Sequence, residues 1–334
     1  MIQRQQHHVS LVTKVGAHIE SWRPYTVIWC GLVSLVGACL TFNGFPPREV
    51  AVLVFIIPMM GWIAGLYLSD YLDRELDRIQ KPHRPIPSGR ITPKEALSAG
   101  FLFAFIGFLL TFLLTVYNIL LVFVVALLVF GYARLSKARG LLGNLNRGIV
   151  IVAAYFFGVF ATGYSLLEIP ISIWILAPMF FIHDTNSNLV GAIRDIQGDQ
   201  KGGYQTFPVK YGIPSSILFS LALVIFYYLW MIEVLFMYDI LIYPLRFLPL
   251  SLLALFFLLL MYLRMRSLIR RFDRHQALQL HEFYVAERIT LASAIILGMV
   301  PSLLLGGGIF ILALTLTLGS QYFIRKKYEF VEET

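Results

Sequence analysis

Apolar stretches that approach or reach the roughly 20 residues needed to cross a bilayer core recur along the whole chain, as in Val27 to Leu40, Val52 to Leu68, Phe101 to Val116 and Ile217 to Phe236. That repetition leaves no stretch for a soluble domain. With 58% hydrophobic and 14% charged residues over 334 positions, and a mean hydropathy of +0.75, the composition is far more apolar than that of a soluble domain of this length. The expected class is an all-α integral membrane bundle.

The expected spans are roughly 25–43, 50–68, 96–115, 118–134, 148–165, 170–190, 215–237, 243–263, 286–304 and 309–323. The last is short. Should Gly306, Gly307 and Gly308 lie within one broken helix rather than at a turn, ten helices become nine. Basic residues gather in alternate connections: Arg4 to Arg23, Arg74 to Lys94, Arg134 to Arg147, Arg194 to Lys210, Arg264 to Arg274 and Arg325 to Lys327. The intervening loops are nearly free of them, so the positive-inside rule puts both termini in the cytoplasm of a cell-membrane protein. An even helix count follows from that. No linker or low-complexity stretch interrupts the alternation, so residues 1–334 form one polytopic domain, with 1–24 a cytoplasmic N-terminal segment. That opening lacks the pattern of a cleaved secretory signal.

The net charge of +8 reports this orientation and does not call for a nucleic-acid partner. Cys30 and Cys39 both fall inside the first span and read as small apolar residues rather than as a redox or metal pair.

The second span runs into Ser69-Asp70-Tyr71-Leu72-Asp73-Arg74-Glu75-Leu76-Asp77. Its aspartates at i, i+3 and i+7 share one face of a continuing helix. Like charges so placed repel unless a cation sits between them, and hard oxygen ligands suit Mg²⁺, which takes one or two carboxylates plus substrate phosphate oxygens. The sixth span ends in Arg194-Asp195-Ile196-Gln197-Gly198-Asp199-Gln200-Lys201, which repeats the chemistry at i and i+4. Both clusters fall on cytoplasmic helix ends, so they can face one another and clamp a diphosphate. Lys81, Arg84, Arg90, Lys201 and Lys210 lie close in sequence and can neutralise that anion by charge-assisted hydrogen bonds. Against this stands the plain alternative that the acids balance nearby Arg74, Arg78, Lys81 and Arg194 in a solvated loop.

Ionisable and amide groups also lie deep inside the sixth span, in His183-Asp184-Thr185-Asn186-Ser187-Asn188. Intramembrane charge is costly and faces a cavity or a partner. At about 100° per residue, Asp184, Asn188 and Asp195 point in similar directions, which continues the polar stripe inward from the aspartates. Interhelical hydrogen bonding is the alternative for Asn186 and Asn188, and His183 points away with no role assigned.

These residues resemble the UbiA superfamily of membrane prenyltransferases. Ser69 to Asp77 is similar to that family's Asn-Asp-x-x-Asp-x-x-x-Asp motif, with serine for the first asparagine. Lys81 to Arg90 is similar to the stretch that follows it, and Asp195 to Asp199 to the second Asp-x-x-x-Asp motif. Tyr132 and Lys137 approximate a third element, Tyr-x-x-x-Lys, with one extra residue between them. The resemblance implies nine helices around a central cavity under a cytoplasmic cap that bears both motifs. It further implies that Asp70, Asp73, Asp77, Asp195 and Asp199 bind Mg²⁺ and act in catalysis. Ser69, Lys81, Arg84, Arg194 and Lys201, with Tyr132 and Lys137, would then contact the diphosphate donor.

The expected reaction is ionisation of an allylic prenyl diphosphate and capture of the carbocation by a lipophilic acceptor, of aromatic or quinone type, at the membrane lipid. Mg²⁺ serves as Lewis acid, aromatic walls shield the cation, and Asp184 or Asn188 orients the acceptor or takes its proton. Two rivals share some of these features: a cyclase of the same fold acting on the diphosphate alone, and a transporter in which Asp184 is an ion site. A phosphatidyl-alcohol transferase fits poorly, since the chain contains no Asp-Gly pair. Oligomeric state, chain length and acceptor identity are not legible.

Overall fold

The computed structural model describes residues 10–132, 136 and 139–328. Twelve helices are present among them: α1 (Leu11–Trp22), α2 (Pro24–Thr41), α3 (Arg48–Leu72), α4 (Arg74–Gln80), α5 (Pro93–Thr111), α6 (Val116–Gly131), α7 (Leu142–Phe160), α8 (Ile171–Lys201), α9 (Phe207–Met237), α10 (Pro244–Arg270), α11 (Arg274–Met299) and α12 (Leu303–Tyr328). Seven of these are long and apolar enough to cross a membrane: α2, α3, α5, α7, α9, α10 and α12. The all-α expectation holds, and each expected span falls in a separate helix.

Local sequence explains where the helices start. Thr92 caps α5 by accepting from Glu95 N while Glu95 returns to Thr92 N, with Pro93 at the first helical position, the reciprocal arrangement of a capping box. Thr115 and Asn118 do the same for α6. Pro24 opens α2 after Arg23, which adopts a left-handed conformation with φ 46°. At the end of the chain, Gly306, Gly307 and Gly308 are not the turn. The break falls at Val300 to Ser302, where Pro301 cannot continue the ladder, and the glycines lie inside α12. The last span is therefore a full 26-residue helix rather than the short one expected.

Helix α2 is the hub, packed by α3, α7, α11 and α12. Small residues let it approach α7: a Cβ on Gly158 would collide with the Ser34 carbonyl, and one on Gly37 with that of Tyr155. Close backbone approach through glycine is how helices gain packing in lipid, where no hydrophobic drive separates helix from tail. Helix α12 covers α2 and α11 and is fastened by Arg325, which is fully buried and donates to Leu278 O at 2.6 Å and Glu282 Oε1 at 3.1 Å.

At the end of the bundle that carries the aspartates, two residues of one connection pair in parallel with two of another. β1 (Arg139–Gly140) meets β2 (Gln205–Thr206), with Gly140 opposite Thr206. This ties the connection after α6 to the connection after α8. Helix α1, part of the segment expected to precede the bundle, packs against α3 through the Tyr67 hydroxyl, which shares a 2.6 Å hydrogen bond with His18 Nδ1 and accepts one of 2.9 Å from Trp22 Nε1.

Candidate active site

The three aspartates of the first cluster lie on an almost continuous helix. Asp73 joins α3 to α4, and the ladder runs on from Asp73 N to Ser69 O, from Asp77 N to Asp73 O and from Lys81 N to Asp77 O. Asp70, Asp73 and Asp77 are all buried, so each carboxylate needs a cation. Arg84 donates to Asp77 Oδ2 at 2.5 Å and lies 3.5 Å from Asp70 Oδ1. Arg23 takes the same Asp70 oxygen at 2.5 Å. The loop that carries Arg84 is shaped by buried Ile86 and Ile91 and by Arg90, which binds Glu20 at 2.6 Å and Ser88 at 3.0 Å.

The second cluster occupies the last turns of α8. Arg194 grips Asp195 with two bonds of 3.0 and 2.7 Å. Asp199 accepts from Thr206 on β2 at 3.1 Å, so the short strand pairing holds that carboxylate in place. Lys81 Nζ stands 3.7 Å from Asp195 Oδ2 and links the two clusters. Burial pulls the Lys81 pKa down to about 8, only partly opposed by Asp195. Burial also works against the Arg84 charge, but Asp70 and Asp77 outweigh it and raise its pKa above the usual guanidinium value. The arrangement is a mixed cluster of carboxylates and cations. No group of three or more metal-ligating side chains is preassembled among the described residues.

Beneath the aspartates lies a cavity of about 480 Å³ between α3, α5, α6 and α7, with Cys30 of α2. Ser69, Tyr132, Asn146 and Arg147 line its polar end, and Ile57, Phe108 and Phe157 its far end. Twelve residues of α3 separate Ser69 from Ile57, about 18 Å at helical rise.

The structure does not treat the other sequence candidates alike. Asp184 is fully buried, accepting from Trp29 Nε1 at 3.1 Å and paired with Arg147 Nε at 3.4 Å, so it reaches the cavity only through Arg147. Asn188 is half-buried. Lys201 is exposed at the end of α8, away from any ion pair among the described residues. Lys137 lies outside the described residues. His183, left without a role in the sequence, bonds Glu287 at 2.9 Å, and Tyr227 donates to the same carboxylate at 3.1 Å.

Four residues escaped sequence reasoning. Arg23 and Arg147 counted only as orientation charges at the ends of spans. Glu287 and Arg288 lie inside the expected ninth span, where two ionisable residues in an apolar run were the available signal.

Residues 30–287 match the family model described as the UbiA prenyltransferase family. The chain is 32% identical over 200 residues to the digeranylgeranylglyceryl phosphate synthase of Pyrococcus horikoshii, covering 60% of this chain and 70% of that one. The apo structure of a UbiA homolog from Aeropyrum pernix K1 superposes with TM-score 0.67 at 22% identity, over 81% of this chain and 97% of that one. A UbiA homolog from Archaeoglobus fulgidus, bound to DMAPP and Mg²⁺, superposes with TM-score 0.55 at 17% identity, over 91% and 99%. With its family model matched across most of its length and its aspartates gathered above an apolar cavity, the chain belongs to the UbiA prenyltransferase family.

Proposed function

We propose that this integral membrane protein transfers an isoprenyl group from an allylic prenyl diphosphate to a lipophilic acceptor, with ten helices crossing the cell membrane and the aspartates on the cytoplasmic side. The observation that carries this reading is the meeting of two aspartate clusters, joined by Lys81 and Asp195, above an apolar cavity that begins at Ser69. A diphosphate fits the charged layer and its chain the apolar one.

In this reading Asp70, Asp73, Asp77, Asp195 and Asp199 hold Mg²⁺. The donor set fits the ion, since it offers hard carboxylate oxygens on two facing helix ends. Mg²⁺, when bound, supplies Lewis-acid stabilisation of the departing diphosphate. Lys81, Arg84 and Arg194 exchange part of their pairing with the aspartates for hydrogen bonds to the diphosphate oxygens, which fix its orientation. The allylic carbon–oxygen bond breaks with both electrons leaving on the diphosphate. The acceptor supplies the pair that forms the new bond to carbon and loses its proton. Tyr132 stands on the cavity wall, where an aromatic face favours a passing cation and excludes water. Asn188 is the candidate for orienting the acceptor.

The relative from Pyrococcus horikoshii is named a digeranylgeranylglyceryl phosphate synthase, which favours a prenylated glycerol phosphate over the aromatic or quinone-type acceptor expected from sequence. The test is product mass after incubation of the purified protein with Mg²⁺ and a prenyl diphosphate, with and without acceptor. A product bearing both masses supports the transferase. A hydrocarbon or terpene alcohol formed from donor alone supports a cyclase instead.

A further inference from the structure

We infer that Arg147, with Asn146 beside it, is the subsite for the oxyanion head of the acceptor, and that the preferred acceptor carries such a head on a lipophilic body. This rests on the prenyltransferase reading above.

Among the described residues that line the cavity, Arg147 is the one with a formal charge. Its guanidinium is fixed on two sides. Nε meets Asp184 Oδ2 at 3.4 Å, and the plane lies over Trp62 at 4.1 Å. Asp184 is itself fully buried, with its other oxygen held by Trp29 at 3.1 Å. The Nη groups make no hydrogen bond to any described residue, while the side chain keeps 23% exposure against 0% for Asp184. A cation needed only to neutralise Asp184 could be sealed in with it. This one is held rigid and presents donors to an otherwise apolar chamber. A planar fork of N–H groups in low dielectric matches an oxyanion bidentately.

The neighbouring position supports the same ligand. Asn146 lines the cavity, and its Oδ1 is buried with no hydrogen-bond partner. A hydroxyl next to the oxyanion, as in a glycerol phosphate or a hydroxybenzoate, would satisfy that oxygen. The donor diphosphate has its own cations in Lys81, Arg84 and Arg194, none of which is among the cavity-lining residues. For the apolar part of the ligand, Phe101 of α5 and Phe130 of α6 line the cavity and are 68% and 53% exposed. A tail can therefore leave towards the bilayer between those helices.

The experiment is a cycle between the residue and the ligand's charge. Wild type and Arg147→Gln are assayed with three acceptors: a monoprenyl glyceryl phosphate, the same ether lipid without phosphate, and a hydroxybenzoate. Arg147→Lys serves as a second variant that keeps the charge on Asp184 but loses the fork. Removing the phosphate should raise the acceptor KM by about 10–100-fold in wild type, the scale of a charged hydrogen-bonded contact, and by less than about 3-fold in Arg147→Gln. The donor KM should stay put, and Arg147→Lys should weaken the anionic acceptor several-fold. Whichever anionic acceptor shows the coupling names the head group. Equal loss in wild type and variant, or a rise confined to the donor KM, overturns the subsite and leaves the transferase reading intact. Failure of wild type to make any prenylated product overturns both.

Discussion

Lys81 Nζ stands 3.7 Å from Asp195 Oδ2, so the loop behind the first aspartate cluster reaches the helix that carries the second. Because burial lowers the Lys81 pKa from 10.5 to about 8, this link titrates within reach of ordinary assays. Between those two values the folded chain binds fewer protons than the unfolded one, so Lys81 makes stability rise with pH across that window. Its charge, which the diphosphate needs, is lost over the same range. The donor KM should therefore climb up to about tenfold between pH 7 and 9, with no fall in thermal stability due to this residue. Lys81→Arg should flatten the profile, and a flat wild-type profile would count against a role for Lys81 in donor binding.

Arg84 is shared by the two buried carboxylates of Asp70 and Asp77. Arg84→Gln should destabilise the metal-free protein by about 2 kcal/mol, the scale of a lost charged hydrogen bond. Mg²⁺ should recover more stability in that variant than in wild type, since it can take the place of the missing cation. Thermal unfolding with and without Mg²⁺ measures both. Equal Mg²⁺ shifts would mean that the ion does not visit these aspartates.

Gly158 sits where α7 touches the α2 backbone, so Gly158→Ala must push the Ser34 carbonyl away. Backbone cannot rotate aside as a side chain can. A loss of at least about 2 kcal/mol is expected, the cost of overpacking. Gly61→Ala is the control, because no atom lies within 4 Å of its added Cβ, and it should be neutral or stabilising by under about 1 kcal/mol from helix propensity. Chemical or thermal unfolding in detergent separates the two.

The open space beside Gly61 also predicts a chain-length effect. Gly61 lies eight residues, about 12 Å, from Ser69 along α3, and an isoprene unit extends about 5 Å at ordinary carbon–carbon geometry. Gly61→Phe should leave room for roughly two units, keeping turnover of a geranyl donor while losing that of a geranylgeranyl donor. Relative kcat/KM across donor lengths reads this, and an unchanged ratio would place the chain elsewhere.

The apolar spans were legible because period and length alone dictate helices in lipid, and the aspartates were legible because their spacing puts them on one face. What hid from the sequence was partnership across long separations. Asp184 looks like a cavity residue on its own helix, yet Trp29 is 155 positions away and buries it. Glu287 meets His183 across 104 positions, and no local pattern announces that pair. The limit of α12 was hidden for a different reason. Three glycines read as a break, but lipid offers a helix backbone no competing hydrogen-bond partner, so glycine is tolerated inside it.

The most direct measurement is diphosphate release by purified protein in lipid, with Mg²⁺, a prenyl diphosphate and a monoprenyl glyceryl phosphate, beside an Asp73→Ala plus Asp195→Ala variant. The account predicts metal-dependent release matched by a product carrying acceptor and prenyl mass, with both lost in the variant. Release that persists without Mg²⁺ or in the variant, or no release from any donor, would contradict it.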